Sequence, residues 1–244
     1  MKKRIFIMLL MLMVVLAGCG QNNGNTSDNA SISSEAGSDV VANAGTSAEQ
    51  GREKTDSNVL VAYFAYSENM TMPENAEVDA ITSASLNEKT NNSEGNLQIM
   101  SGVVEKELDA DVFHILVENP YEMDYSTMLP RAIDEMQNSD YPALQAKIEN
   151  LEDYDVIFLG TPVWNGGLPP AIHTFLAEND LSGKKVVLFG IHLGSRFGRM
   201  ESELKELADG IELIDSFTVT ASDSNDKVHE EFSEWLSVLT ASGF

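Results

Sequence analysis

The features that most restrict this chain are short, continuous apolar runs. Val59-Leu60-Val61-Ala62-Tyr63-Phe64, Asp155-Val156-Ile157-Phe158-Leu159-Gly160 and Lys185-Val186-Val187-Leu188-Phe189-Gly190-Ile191 show no polar alternation. A strand with one solvated face alternates with period two, so these runs predict strands covered on both faces. Two more strands are predicted at Asp111–Val117 and Ile211–Val219. Helical patterns separate them, at Leu97–Leu108, Tyr125–Gln137, Pro169–Glu178, Arg199–Ala208 and Asp226–Leu239. The Pro169-Pro170 pair suits the first turn of its helix. The alternation predicts an α/β fold, a doubly wound five-stranded parallel sheet filling one domain over residues 58–244. Such sheets bind ligands beyond the carboxyl ends of their strands, so the loops after Phe64, Gly160 and Ile191 are where chemistry is expected.

The chain before residue 58 is of another kind. Lys2, Lys3 and Arg4 precede an apolar run, Ile5 to Leu16, that is shorter than the ~20 residues of a spanning helix. This predicts a secretory signal over residues 1–18. Leu16-Ala17-Gly18-Cys19 resembles the lipobox of bacterial lipoproteins, which implies cleavage before Cys19 and lipidation of its thiol. An uncleaved anchor helix, or an ordinary signal with a chance cysteine, is the alternative. Residues 19–57 are rich in Asn, Ser, Gly, Ala and Thr and poor in large aliphatics. They predict a disordered tether reaching roughly 30–40 Å. The expected location is thus the extracytoplasmic face of the cell membrane, through a lipid anchor.

Charge narrows the partners. The chain has 39 acidic and 15 basic side chains and a net charge of −24. Its field repels nucleic-acid phosphate and attracts positively charged proteins. A single cysteine excludes an internal disulfide and any four-thiolate metal centre. The four histidines, His114, His173, His192 and His229, lack metal-ligand spacing. No phosphate-cradling GxxxxGK[ST] loop and no G-x-S-x-G nucleophile elbow is present.

Val59-Leu60-Val61-Ala62-Tyr63-Phe64-Ala65-Tyr66-Ser67-Glu68-Asn69 resembles the first strand and phosphate loop of flavodoxins. Asp153-Tyr154-Asp155-Val156-Ile157-Phe158-Leu159-Gly160-Thr161-Pro162-Val163-Trp164 resembles their third strand and first flavin-flanking loop. Leu181-Ser182-Gly183-Lys184-Lys185, then Phe189-Gly190-Ile191-His192-Leu193-Gly194-Ser195, resembles the fourth strand and second flavin loop. The resemblance implies strand order 2-1-3-4-5, a noncovalent FMN and electron transfer. It places cofactor contacts at Tyr66, Ser67, Asn69 and Asn96, at Thr161, Pro162, Val163, Trp164, Asn165 and Gly166, and at His192, Leu193 and Gly194. Physical chemistry agrees with these roles. A phosphate dianion suits backbone N–H groups, hydroxyls and a helix N-terminus, and a planar apolar ring suits aromatic stacking. Trp164 reads as a ring contact or as a core aromatic, His192 as a ring-edge or a structural residue. Arg196 and Arg199 read as charge partners of a ligand or as surface ion pairs.

The first loop departs from the flavodoxin pattern. Ala65 lacks a hydroxyl, Glu68 replaces glycine, and Leu97 stands in place of threonine after Gly95-Asn96. Roughly 25 residues intervene, a length more often functional or disordered than idle. Within them, Asp79-Ala80-Ile81-Thr82-Ser83-Ala84-Ser85 reads as phosphate-binding, Ser83 or Ser85 (with Ala84 between them) adding a hydroxyl beside Ser67, or as a polar solvated loop. The same heptapeptide resembles the acceptor motif for covalent flavinylation, which implies Ser85 as an alternative covalent attachment point for FMN. The expected function is an electron carrier with no side chain acting as acid or base. The alternatives are an FMN-dependent reductase of quinones or another small acceptor, and a flavin-free binding module.

Overall fold

The structure, a computed structural model, describes residues 58–71 and 95–243. Cys19, Ser83, Ala84 and Ser85, with the signal and tether expectations, lie outside the described residues. The elements are β1 (Val59–Tyr63), β2 (Met70–Thr71), α1 (Asn96–Leu108), β3 (Asp111–His114), β4 (Tyr121–Glu122) and α2 (Tyr125–Asn138). There follow β5 (Val156–Pro162), α3 (Pro170–Glu178), β6 (Lys185–His192), α4 (Met200–Leu207), β7 (Glu212–Thr220) and α5 (Asn225–Ala241). Five strands form one parallel sheet in the order β3-β1-β5-β6-β7. Counting these five alone, this is the expected 2-1-3-4-5. β2 and β4 form a separate two-residue parallel ladder that the sequence pattern did not reveal.

Burial explains the apolar runs. Every residue of β1 and of β5 is buried, as is β6 from Val186 on. Alternate residues of β1 feed two cores. Leu60 and Ala62, with Phe64 just beyond the strand, join Met128 of α2, Phe175 of α3 and Leu204 of α4. Val59, Val61 and Tyr63 join Met100 of α1 and Phe232 of α5 on the opposite face. The sheet is therefore covered on both sides, and polar residues at these positions would lack partners. Gly160 is required within β5, because a Cβ there would overlap the Phe189 ring of β6 and crowd Tyr63.

The second strand is shorter than expected, ending at His114 rather than Val117. Beyond it the Asn69 side chain takes over the backbone. Its amide donates to Ile115 O at 3.0 Å and its carbonyl accepts from Val117 N at 2.8 Å. Val117 then bridges to Leu144 in antiparallel fashion.

Candidate functional site at the carboxyl ends of the strands

The chain leaves β1 toward α1 on one face of the sheet, and leaves β5 toward α3 on the other. A crevice must open where adjacent strands send their connections to opposite faces. The register aligns the rims of this crevice. Tyr63 pairs with Gly160, and Pro162 with Ile191. Phe64 N donates to Gly160 O at 2.9 Å, and Val163 N to Ile191 O at 2.9 Å. All three predicted loops therefore meet at one end of the sheet.

The first loop is a single 3₁₀ turn, Tyr66–Glu68, fastened at both ends. Asn69 is 1 % exposed, and besides its bonds to Ile115 and Val117 it donates to Ala65 O at 2.9 Å. Its side chain therefore braces the loop from within rather than reaching into the crevice. Tyr66 is also buried, its hydroxyl donating to Glu122 O. Ser67 is half-buried, and its hydroxyl donates to Gln98 Oε1 at 3.3 Å. That same oxygen accepts from Gly95 N at 2.6 Å, closing the start of α1 by the reach-back that a glutamine at the third helical position provides.

Glu68, which departs from the glycine of the flavodoxin pattern, is the hub of this loop. Its carboxylate accepts from Tyr63 OH at 2.9 Å and from Gln98 Nε2 at 3.0 Å, and pairs with His114 Nδ1 at 3.1 Å. Burial acts to raise the Glu68 pKa, but His114, then Gln98 and Tyr63, outweigh it and hold the carboxyl below its ordinary value. The hydrogen bond to Glu68 in turn raises the His114 imidazole. The sequence signal for this hub was the departure itself, Glu68 in a loop where its charge needs a partner. His114, 46 positions away, could be matched to it only through the β1–β3 pairing.

The second loop is a tight turn closed by Trp164 N to Gly167 O at 3.0 Å and Gly167 N to Trp164 O at 2.8 Å. Asn165 and Gly166 both take positive φ, 48° and 76°, which asparagine tolerates and glycine favours. Trp164 is half-buried in an aromatic box, edge-on to Tyr121 at 5.1 Å, Phe64 at 5.5 Å and Tyr66 at 5.6 Å. Tyr121 is itself clamped, with Arg131 4.4 Å above its ring and its hydroxyl donating to Glu135. Thr161 and Pro162 are fully buried in β5 and Val163 is half-buried, so they shape the crevice from beneath.

Arg199 and Glu203 hold this loop. Arg199 N donates to Gly166 O at 2.7 Å, and Glu203 accepts from Leu168 N at 2.7 Å and from Arg199 Nε at 2.9 Å. Arg199 is thus the ion-pair partner of Glu203.

In the third loop His192 is 8 % exposed and its Nδ1 accepts from Gly194 N at 2.9 Å. The neutral ring must then carry its proton on Nε2. Burial, then the positive Arg196, lowers the His192 pKa, opposed by Asp223. Leu193 beside it is 67 % exposed, one of three large apolar side chains so exposed among the described residues.

Ala65, Tyr66, the α1 start Gly95-Asn96-Leu97 and Ile191 line one cleft between the first loop and β6. A helix leaves the N–H groups of its first turn without intrahelical acceptors, and its macrodipole is positive there. The donors at the start of α1 therefore fit a phosphate. Asn96 is buried and its amide donates to Asp223 O at 3.3 Å, tying α1 to the loop that precedes α5. Among the described residues no group of three His, Cys, Asp or Glu side chains is arranged to hold a metal ion.

The family model for flavodoxins matches residues 92–237, more than half of the chain. Two crystal structures share the fold. One is of a protein assigned as a flavoprotein from Bacteroides uniformis, at 24 % identity and TM-score 0.53, covering 73 % of this chain and 97 % of its own. The other is of a similarly assigned protein from Bacteroides eggerthii, at 24 % identity and TM-score 0.53, covering 75 % and 98 %. No curated protein matches the chain.

Proposed function

Since this chain belongs to the flavodoxin family, we propose that it binds FMN in the crevice and carries electrons outside the cytoplasmic membrane, held there by lipid on Cys19. One observation carries the reading: the first loop, the N-terminus of α1 and the end of β6 line a single cleft. The N–H groups of the first α1 turn, with Ser67, would hold the phosphate, and the 79–85 segment adds hydroxyls by sequence. Trp164 and Leu193 would enclose the ring, and the His192 Nε2–H would donate at its edge. Bound flavin supplies one- or two-electron transfer. The protein supplies orientation and field: its net charge of −24 disfavours added negative charge in the site, which argues for a low potential. The same charge favours positively charged redox partners over anionic ones.

Protein isolated from the membrane fraction of its native host tests this. Visible flavin absorbance is expected, and acid precipitation should release FMN into the supernatant. A yellow pellet, with a flavin phosphodiester increment in the intact mass, would instead place the flavin covalently at Ser85. Absence of flavin absorbance, together with no binding in an FMN titration, would overturn the proposal. Turnover of a quinone with a nicotinamide donor would move the protein from carrier to reductase.

A further inference from the structure

Residues 72–94 separate the first loop from the start of α1, so a short stretch of chain does not fix how these two walls of the cleft stand to one another. Apolar packing sets part of that relation, since Ala65 shares a core with Leu97 and Met100. Apolar contact is non-directional, however, and a phosphate needs donors in a defined geometry. Gln98, at the third position of α1, supplies direction through three hydrogen bonds. Its Oε1 accepts from Gly95 N at 2.6 Å and from the Ser67 hydroxyl at 3.3 Å, and its Nε2 donates to Glu68 Oε1 at 3.0 Å. One carboxamide thus joins the start of the helix to two residues of the loop.

The partners fix which way that carboxamide faces. A backbone N–H can only donate, so Gly95 must meet the oxygen. An ionised carboxylate can only accept, so Glu68 must meet the nitrogen. His114 Nδ1 at 3.1 Å and the Tyr63 hydroxyl at 2.9 Å keep the Glu68 carboxylate ionised and in place. The chain of contacts His114–Glu68–Gln98 therefore ends on Gly95, which lines the cleft, and on Ser67, which follows the cleft residue Tyr66. The reach-back occupies the Gly95 N–H, and the N–H groups of the helical turn behind it have no intrahelical acceptor. A carboxylate in a phosphate loop would by itself oppose a dianion. Here it is paired with His114 and orients Gln98, which gives the departure from glycine at position 68 a use.

We propose that Gln98 is a positioning residue for the phosphate of FMN, its carboxamide, oriented by Glu68, locking Ser67 and the first turn of α1 into one donor set. The inference rests on FMN binding in the crevice and names the side chain that sets preference at the phosphate end. Gln98 then favours FMN over riboflavin, which has the same ring and no phosphate.

Fluorescence titration of the flavin-free full chain with FMN and with riboflavin tests this. Q98M keeps a long side chain that favours helix, adds no charge and removes all three hydrogen bonds. It should weaken FMN roughly tenfold or more and riboflavin by less than about twofold. Equal weakening of both flavins, the mark of a general loss of structure, overturns the inference, and so does undiminished FMN affinity. Should riboflavin bind the wild type too weakly to titrate, the visible spectrum of FMN-saturated Q98M decides. A spectrum matching the wild type confines the change to the phosphate end, and an altered one overturns the inference. Should Q98M fail to fold, E68M decides: it should weaken FMN by freeing Gln98. Unchanged or stronger FMN binding by E68M would mean that Glu68 acts by charge alone, and overturns the inference. A wild type that binds neither flavin overturns the FMN reading as a whole, whereas wild-type FMN binding with an unselective or silent Q98M overturns this inference alone.

Discussion

At the scale of single residues, Glu68 and His114 show how a charge in a ligand loop is tolerated. The Glu68 carboxyl lies below its ordinary 4.5 and the His114 imidazole above its ordinary 6.5. A lowered carboxyl contributes stability above 4.5 that is lost as pH falls through its folded value. A raised imidazole contributes stability below 6.5 that is lost as pH rises through its folded value. The pair therefore helps most between these two ordinary values. In urea unfolding, the stability gap between the wild type and H114Q should be widest near about pH 5.5 and much narrower at about pH 9. An equal gap at both would remove the ion pair from the account. His114 is half exposed, so solvent screening keeps the effect modest.

At the scale of elements, the Trp164 loop depends on α4. Glu203 supplies acceptors to both Leu168 N–H and Arg199, joining the end of the Trp164 loop to the helix after the His192 loop. E203A leaves the Leu168 N–H without that acceptor, at an expected cost of about 1–3 kcal/mol in denaturant unfolding. E203Q retains a carbonyl oxygen and should lose less. If FMN binds as proposed, its affinity should fall further in E203A than in E203Q, because the loop carrying Trp164 is what Glu203 holds. Equal affinities would show that the loop stands without this brace.

At the scale of the whole molecule, the dominant quantity is charge. A net charge of −24 repels itself in any compact state, and salt screens that repulsion with a Debye length of about 10 Å at 0.1 M. The melting temperature should therefore rise between 10 and 200 mM sodium chloride, where about 1 kcal/mol corresponds to about 2–4 °C for a chain of this size. Association with a basic redox partner should weaken over the same range. A melting temperature that falls with salt would mean that local ion pairs outweigh the net field. Among the described residues no helix is long and apolar enough to cross a membrane, so the proposed attachment rests on the Cys19 segment alone.

The apolar pattern carried the five-stranded sheet, though not the β2–β4 ladder. Continuous apolar strands can be stable only when covered on both faces, so the runs at β1, β5 and β6 carried the doubly wound sheet with them. It also located the three loops, since strand ends follow from the same pattern. What individual side chains in those loops touch follows from contacts made in the folded chain. Asn69 and Tyr66 sit in ligand-loop positions yet are turned inward, because Ile115, Val117 and Glu122 bring backbone groups that need partners. Glu68 found His114, and Arg199 found Glu203, through strand pairing and helix packing. Local periodicity carries burial, which is a property of an element's face. Hydrogen-bond partnership is a property of chain segments brought together, and no local pattern encodes it.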